Sequence, residues 1–241
     1  MTNQENELRV ASRDAWLEER RALLAKEKEL MQKTDALRQA ARDLPWVEVE
    51  DYAFTGPAGE TTLSALFEGR SQLIIYHFMF GPQAETGCPS CSLITDSIDP
   101  SRPHLAARDV SLVLVSRAPV ERLMAYRERM GWSVPWVSSG SSRFNPDFQA
   151  STDEVNADGT FFYNFENMNR YPPGEQPGIS VFRKGDDGRI FHTYSAYARG
   201  LEVFMPTYTL LDYVPQGRDE HGLPWGMAWV RRHDEYEDEA G

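Results

Sequence analysis

A seven-residue spacing of large apolar side chains runs through the first part of the chain, where most other positions are polar. The side chains that share this spacing are Trp16, Leu23, Leu30 and Leu37. With Ser12 as a suitable N-cap and Pro45 just beyond the last turn, the pattern predicts one long helix over residues 12–43. The stripe is narrow, and such a stripe packs either on its own domain or on the same helix of a second copy. A homodimer through this helix is therefore one of two expectations.

Runs of apolar residues in the next part of the chain predict a sheet with a helix between two of its strands. Residues 47–54 alternate apolar and polar as a strand does, and residues 56–67 contain a turn and one short helical turn. Residues 72–80 are apolar on both faces, which indicates a strand buried within a sheet. A helix of about ten residues from Pro89 and a second buried strand at 110–115 complete a β-α-β unit.

The second half of the chain predicts a helix, a β-hairpin and a final helix. Pro119 begins the first of these helices, and residues 178–194 carry the alternation and the central Gly-Asp-Asp-Gly turn of a hairpin. A helix at 201–213 ends the body of the protein. Residues 143–177 show no clear period but are rich in aromatic side chains, and an unstructured segment of this length suggests a function.

The order of these elements resembles the thioredoxin fold, in which a β-α-β unit is followed by a hairpin and a helix. The strand and turn at 47–67 resemble the additional N-terminal elements of the peroxiredoxin-like branch. We therefore expect an α/β protein with a thioredoxin-like fold and a long N-terminal helix. The expected parts are a helical arm at 1–44, a thioredoxin-like domain at 45–215 with a long insertion at about 143–177, and an acidic C-terminal tail at 216–241.

Composition and charge narrow the classes of partner. The chain has 241 residues, of which 41% are hydrophobic, and a formal net charge of −12. This acidic balance, without a block of Lys or Arg, argues against nucleic acid and against anionic membranes as partners. The polar, acidic start differs from a signal peptide, and no apolar run reaches the ~18 residues of a membrane span. A cytoplasmic protein is expected.

The two cysteines of the chain, Cys88 and Cys91, form one Cys-Pro-Ser-Cys unit after the predicted strand at 72–80. There, Cys88 would cap a helix whose unpaired N–H groups and dipole lower the pKa of a thiol. Pro89 suits the first helical position because its missing N–H would have no partner there. Cys91 would lie one turn further, within reach of a disulfide with Cys88. In a reducing compartment this spacing indicates a redox dithiol, with Cys88 as the nucleophile and Cys91 as the resolving thiol.

Three alternatives to a redox dithiol stay open. A metal site would need further ligands from His77, His104 or His192, none of which forms the close second pair typical of zinc sites. Both thiols could instead be inert. A thioredoxin-fold protein could also act without catalysis, binding partners through its N-terminal helix and its aromatic loop. We expect no metal and no cofactor.

A peroxidase is the rival within the enzyme class. Peroxiredoxins carry the motif Pro-x-x-x-Thr-x-x-Cys, in which the threonine and backbone groups position a peroxide at a lone thiolate. This chain has Pro82, Thr86 and Cys88, so its cysteine arrives one residue early. The departure makes hydroperoxide reduction the weaker hypothesis and leaves Thr86 as a candidate for positioning a substrate.

Two further residues are candidates for positioning a substrate. Pro177 precedes the first hairpin strand, the place where thioredoxin-like proteins resemble one another in a cis-proline facing the dithiol, although Pro172 or Pro173 could hold that role. His77 lies inside the predicted buried strand. It is either a neutral core histidine or a proton acceptor near the dithiol.

Motifs across the chain resemble one family in particular. They are Tyr76-His-Phe-Met-Phe-Gly-Pro82, Gly87-Cys-Pro-Ser-Cys-Ser92, Pro103-His-Leu-Ala-Ala-Arg-Asp109, Met130-Gly-Trp132, Pro135-Trp-Val-Ser138, His192-Thr-Tyr-Ser195 and Tyr197-Ala-Arg-Gly200. Together with the long N-terminal helix, they resemble the thioredoxin-like family catalogued as domain of unknown function 899. The resemblance implies a dithiol-disulfide isomerase acting on a protein or small-molecule disulfide or thiol, a label that itself rests on the fold.

Overall fold

The computed structural model describes residues 9–152 and 154–236. Residues 1–8 of the predicted arm, Asp153 of the predicted insertion and residues 237–241 of the predicted tail lie outside the described residues. The chain separates into two compact units, the first ending at Pro45 and the second beginning at Trp46.

The first unit is one helix, α1, over Arg13–Arg42, close to the predicted span. The Ser12 hydroxyl accepts a hydrogen bond from the Ala15 N–H at 3.2 Å, which satisfies one of the free donors of the first turn. No residue of α1 is buried. The residues of the seven-residue stripe are all more than half exposed: Trp16 53%, Leu23 51%, Leu30 65% and Leu37 71%.

The second unit is built on an eight-stranded sheet with a separate two-stranded sheet. The strands are β1 Val47–Val49, β2 Ala53–Gly56, β3 Gly59–Thr62, β4 Gln72–His77, β5 Val110–Ser116, β6 Trp136–Ser138, β7 Phe161–Tyr163, β8 Glu166–Met168, β9 Gly178–Lys184 and β10 Ile190–Tyr197. The large sheet has the order β1-β10-β9-β4-β5-β6-β2-β3, and β7 pairs with β8. Strands β4, β5 and β6 run parallel, whereas β9 is antiparallel to β4 and β10.

The helices of the second unit are short and cover the sheet. They are α2 Leu63–Leu66, α3 Pro89–Ile98, α4 Arg102–Ala106, α5 Val120–Arg129, α6 Phe144–Asp147 and α7 Pro206–Leu211, with 3₁₀ helices at Asp99–Ser101, Ala198–Phe204 and His233–Glu235. Within the described ranges, no helix is long and apolar enough to cross a membrane.

The unit β4-α3-β5 followed by the β9-β10 hairpin and α7 is the predicted order of elements, and the protein has an α/β, thioredoxin-like fold with a long N-terminal helix. Successive residues of a strand point to opposite faces, so β4 contributes side chains to two apolar clusters, one on each face of the sheet. Tyr76 packs with Cys91 in the cluster beneath α3 and α5. Ile75 belongs to the second cluster, with Leu63 and Phe144. The start of α3 therefore rests on the face of the sheet that carries Tyr76.

The prediction of one strand over residues 47–54 is wrong. The segment forms β1, which pairs with β10, and β2, which pairs with β3 and β6 at the other side of the sheet. Between them, the Asp51 carboxylate accepts hydrogen bonds from the N–H and hydroxyl of Ser64, both at 2.7 Å. The carbonyl of Tyr52 accepts from the Leu63 N–H at 2.8 Å. These bonds turn the chain at a point where local alternation predicts a continuous strand.

The insertion at 143–177 has more structure than predicted, because it contains α6 and the β7-β8 hairpin. Phe144 and Phe148 are buried in the cluster that contains Ile75, and Phe161 and Tyr163 pack on Tyr197. A smaller set of its aromatic side chains is exposed: Phe162, Phe165 and Tyr171. Most of the aromatic content thus covers the sheet.

The last helix of the body is shorter than the predicted span of 201–213. A 3₁₀ helix covers Ala198–Phe204, and α7 begins at Pro206. The break follows from proline chemistry, since Pro206 cannot donate an N–H and is accommodated at a first helical position.

Candidate active site

The two cysteines lie at the start of α3, directly after the central strand. Cys88 is the N-cap residue and Pro89 the first helical residue, as predicted. The Cys88 N–H donates to the Met79 carbonyl at 3.2 Å, and the Met79 N–H donates to the Cys91 sulfur at 3.4 Å. Cys88 is half-buried, Cys91 is only 1% exposed, and both are free thiols. Cys88 is therefore the more accessible of the two cysteines, and Cys91 lies in the core.

The environment separates the acidities of the two thiols. The pKa of Cys88 is lowered from 9.0 to about 7, chiefly by the hydrogen bond from the Cys91 thiol and, against the effect of burial, by the N–H groups of Cys91 and Ser90. Burial and the neighbouring Cys88 raise the pKa of Cys91 well above its ordinary value. This is the arrangement that a nucleophilic thiol and a protonated partner require.

The loop before Cys88 is held tightly. Gly87 is buried, and a Cβ added there would lie 2.7 Å from the ring of Phe78, so only glycine fits without a shift of the ring. Arg122 of α5 donates to the carbonyls of Pro82 at 3.1 Å and Ala84 at 2.7 Å. Thr86, the predicted positioning residue, is exposed in this loop. These contacts hold the loop that leads into Cys88.

Arg232, in the segment predicted as an acidic tail, reaches the start of α3. Its guanidinium donates to the Gly87 carbonyl at 2.6 Å and to the Tyr126 hydroxyl at 2.8 Å. The Tyr126 hydroxyl pairs with Ser92, whose own hydroxyl donates to the Cys88 carbonyl, both at 2.9 Å. Sequence analysis missed this residue because no local pattern distinguishes one arginine beside an acidic stretch.

Tyr76 lies under the dithiol on the same face of the sheet. Its side chain is fully buried, and within the described residues its hydroxyl has no hydrogen-bond partner. After burial, interaction with Cys91 is the strongest cause that raises its pKa well above the ordinary value. Sequence analysis did not place Tyr76 beside the dithiol, because alternation along a strand buried on both faces does not show which face meets the cysteines.

The structure does not bring His77 to the dithiol, and the prediction that it positions a substrate there is corrected. His77 follows Tyr76, so it points to the other face, where its ring stacks on Phe144 with centroids 5.4 Å apart. Burial lowers its pKa to about 3, so it stays neutral. Its Nε2 pairs with the hydroxyl of Ser180 at 2.9 Å. The alternative of a neutral core histidine is the one the structure shows.

The candidate metal ligands do not converge. His192 joins the chain of hydrogen bonds on the His77 face, through Ser195 at 2.8 Å, and Ser195 pairs with Ser180 at 2.8 Å. Across the parts of the chain that the structure describes, no three His, Cys, Asp or Glu side chains come together as a metal site requires. Among the described residues, the two cysteines therefore have no third ligand beside them.

Pro177 lies at the predicted end of the sheet but without the predicted geometry. Gly178, the first residue of β9, pairs with His77 at the end of β4, so Pro177 and Cys88 lie at the same end of the sheet. Its carbonyl accepts a hydrogen bond from the Tyr163 hydroxyl at 2.7 Å. In the described ranges no peptide bond is cis, so the expectation of a cis-proline at 177, 172 or 173 is wrong.

The fold and the site define a thioredoxin-like protein with a paired-cysteine centre at a helix N-terminus. The chain belongs to the family described as "Bacterial protein of unknown function (DUF899)", which matches residues 5–236. This confirms the family named from the sequence motifs. No curated protein matches the chain.

Three solved structures of bacterial proteins show similarity over part of the chain. A mutant of PrxQ from Xylella fastidiosa is 14% identical with a TM-score of 0.44, over 68% of this chain and 95% of that one. Peroxidoxin BcpB from Mycobacterium tuberculosis is 15% identical with a TM-score of 0.45, over 68% and 95%. The bacterioferritin comigratory protein of Xanthomonas campestris is 14% identical with a TM-score of 0.43, over 66% and 90%.

Proposed function

We propose that this protein is a cytoplasmic thiol–disulfide oxidoreductase that uses Cys88 as its nucleophile and Cys91 as its resolving thiol. The observation that carries the proposal is the separation of the two thiols, one half-buried with a pKa of about 7 and one buried with a raised pKa. A nucleophile must be a thiolate that a substrate can reach, whereas a resolving thiol must stay protonated and protected until it is needed.

The proposed cycle transfers two electrons to a protein or small-molecule disulfide. The Cys88 thiolate attacks one sulfur of the substrate, a mixed disulfide forms, and the first substrate thiolate leaves and takes up a proton from solvent. Cys91 then loses its proton, attacks the Cys88 sulfur and releases the second substrate thiolate, which takes up that proton. The products are the Cys88–Cys91 disulfide and two substrate thiols. Pro177 and Thr86 are proposed to position the substrate from the end of the sheet and from the preceding loop.

Reduction of insulin disulfides, together with the reduction potential of the dithiol, tests this function. We expect a potential within the range of about −120 to −270 mV known for dithiols of this kind. Cys88→Ser should abolish turnover, and Cys91→Ser should trap the mixed disulfide on Cys88. A wild-type protein that neither cycles nor reduces insulin would contradict the proposal and favour a non-enzymatic binding protein.

A thiol peroxidase is the second candidate, and the same pair of cysteines supports it. Cys91 is close enough to hydrogen-bond the Cys88 sulfur, so it could resolve an oxidised Cys88. A hydroperoxide would transfer one oxygen to the Cys88 thiolate which, with one proton from solvent, gives a sulfenic acid and an alcohol, or water where the oxidant is hydrogen peroxide. Cys91 would then displace water to form the disulfide. Consumption of hydrogen peroxide or an alkyl hydroperoxide at a rate above that of insulin reduction would favour this function over the first.

A further inference from the structure

The Tyr76 hydroxyl is a polar group in the core that makes no well-formed hydrogen bond to any described residue, although it lies near the Cys91 thiol. The side chain is 0% exposed, and within the described residues no hydrogen-bond partner meets its oxygen. Buried hydroxyls are normally paired, because removing one from water without a partner is unfavourable. The other buried phenols of this region follow the rule: Tyr163 bonds Pro177, Tyr197 bonds Phe148 and Tyr126 bonds Ser92. Tyr76 is therefore an exception that needs an explanation.

The surroundings of Tyr76 indicate what its partner is. The Cys91 thiol belongs to the same buried cluster as Tyr76, and Cys91 is the ionisable group that interacts with the phenol most strongly. The Cys91 sulfur already accepts one N–H, from Met79 at 3.4 Å. A protonated thiol is a weak acceptor and gives a phenol little reason to bond it, whereas a thiolate is a strong one.

We propose that the Tyr76 hydroxyl donates a hydrogen bond to the Cys91 sulfur when that sulfur becomes a thiolate, and so enables Cys91 to resolve the mixed disulfide on Cys88. The proposal rests on the proposed function. In the resolving step the Cys91 proton passes to the departing substrate thiolate. The electron pair of Cys91 forms the bond to the Cys88 sulfur, and the bond between Cys88 and the substrate sulfur breaks. The negative charge on Cys91 exists only during this step, when the Met79 N–H and the Tyr76 O–H are its two donors.

Stepwise oxidation by dithiobis-nitrobenzoate separates attack from resolution. In the wild type, attack by Cys88 releases one coloured thionitrobenzoate, and displacement by Cys91 releases a second. Tyr76→Phe removes one oxygen and keeps the ring. We expect the first release to be unchanged and the second to slow about tenfold or more at neutral pH, the effect of one charge-assisted hydrogen bond. The pH profile of the second release should move up by about one unit.

Tyr197→Phe is the matched control, because its hydroxyl is equally buried but bonds the Phe148 carbonyl at 2.8 Å, on the face away from the dithiol. This variant should lose stability and keep both release rates. Tyr76→Phe should be at least as stable as the wild type, because the hydroxyl it removes is unpaired. A second release in Tyr76→Phe with the wild-type rate and pH profile would overturn the inference alone. Absence of a second release in the wild type would overturn the proposed function and the inference with it.

Discussion

The Cys91 thiol is the largest cause of the lowered pKa of Cys88, and replacing Cys91 with alanine removes that cause. The backbone N–H groups of the first turn of α3 remain in the variant, so the pKa of Cys88 should rise part of the way towards 9.0. Cys91→Ser is the matched variant, because its hydroxyl can still donate to the thiolate. The pKa of Cys88 should therefore be lowest in the wild type, higher in Cys91→Ser and highest in Cys91→Ala.

The size of the change follows from the hydrogen bond. A pKa of about 7 makes about half of Cys88 a thiolate at pH 7, against about 1% at the ordinary value of 9.0. A hydrogen bond to a charged group contributes ~1.5–3 kcal/mol, which is about one to two pKa units. The alanine variant should therefore hold about 1–10% of Cys88 as thiolate at pH 7.

Alkylation by iodoacetamide, followed from about pH 5 to about pH 10, measures this pKa as the midpoint of the rate profile. The midpoint is a better readout than the rate at one pH, because a thiolate of higher pKa is intrinsically more reactive and offsets part of its lower abundance. Mass spectrometry assigns the modified thiol in the wild type. A wild-type midpoint at about 8.5 or above, or equal midpoints in the wild type and Cys91→Ala, would refute the reasoning.

Three other predictions concern the loop, the core histidine and the N-terminal helix. Gly87→Ala should lower the free energy of unfolding, measured by urea titration, by about 1–3 kcal/mol, because the added Cβ would lie 2.7 Å from the ring of Phe78. It should also raise the pH midpoint of Cys88 alkylation. Unchanged values of both would show that the ring moves aside at no cost. His77 has a folded pKa of about 3 and an ordinary value of 6.5, so the unfolded chain takes up its proton first as the pH falls. The contribution of His77 to the free energy of unfolding is complete above about pH 6.5, and about 2 kcal/mol of it should be lost between pH 7 and pH 5. In His77→Gln the free energy of unfolding should fall less steeply with pH over this range. An equally steep fall in the variant would contradict the prediction. If the exposed stripe of α1 joins two copies, Leu23→Glu with Leu30→Glu should halve the mass measured by light scattering, whereas Ala25→Glu should not; a monomeric wild type would exclude the dimer.

Much of the fold was predictable because its signals are local. Ser12 and the polar helix that follows, Pro89 after a cysteine and the Gly-Asp-Asp-Gly turn each act within a few residues of chain, and the structure has helices or a hairpin at all three places. The break between β1 and β2 could not be predicted in this way. Its cause is a set of bonds from Asp51 and Tyr52 to residues more than ten positions away.

The candidate site likewise has one part that local sequence predicts and another that depends on long-range contacts. The sequence by itself determined that Cys88 and Cys91 share a helix N-terminus, because a buried strand, a proline and a Cys-x-x-Cys spacing are enough to place them there. Only the tertiary structure decided what surrounds them. Arg232 bonds Gly87, a residue 145 positions away in the chain. Tyr76 rather than His77 lies under Cys91, because α3 packs on the face of the sheet to which Tyr76 points, and the strand pattern alone does not show which face that is. Acidity and protection of the thiols depend on these long-range contacts, and no local pattern encodes which distant groups will meet.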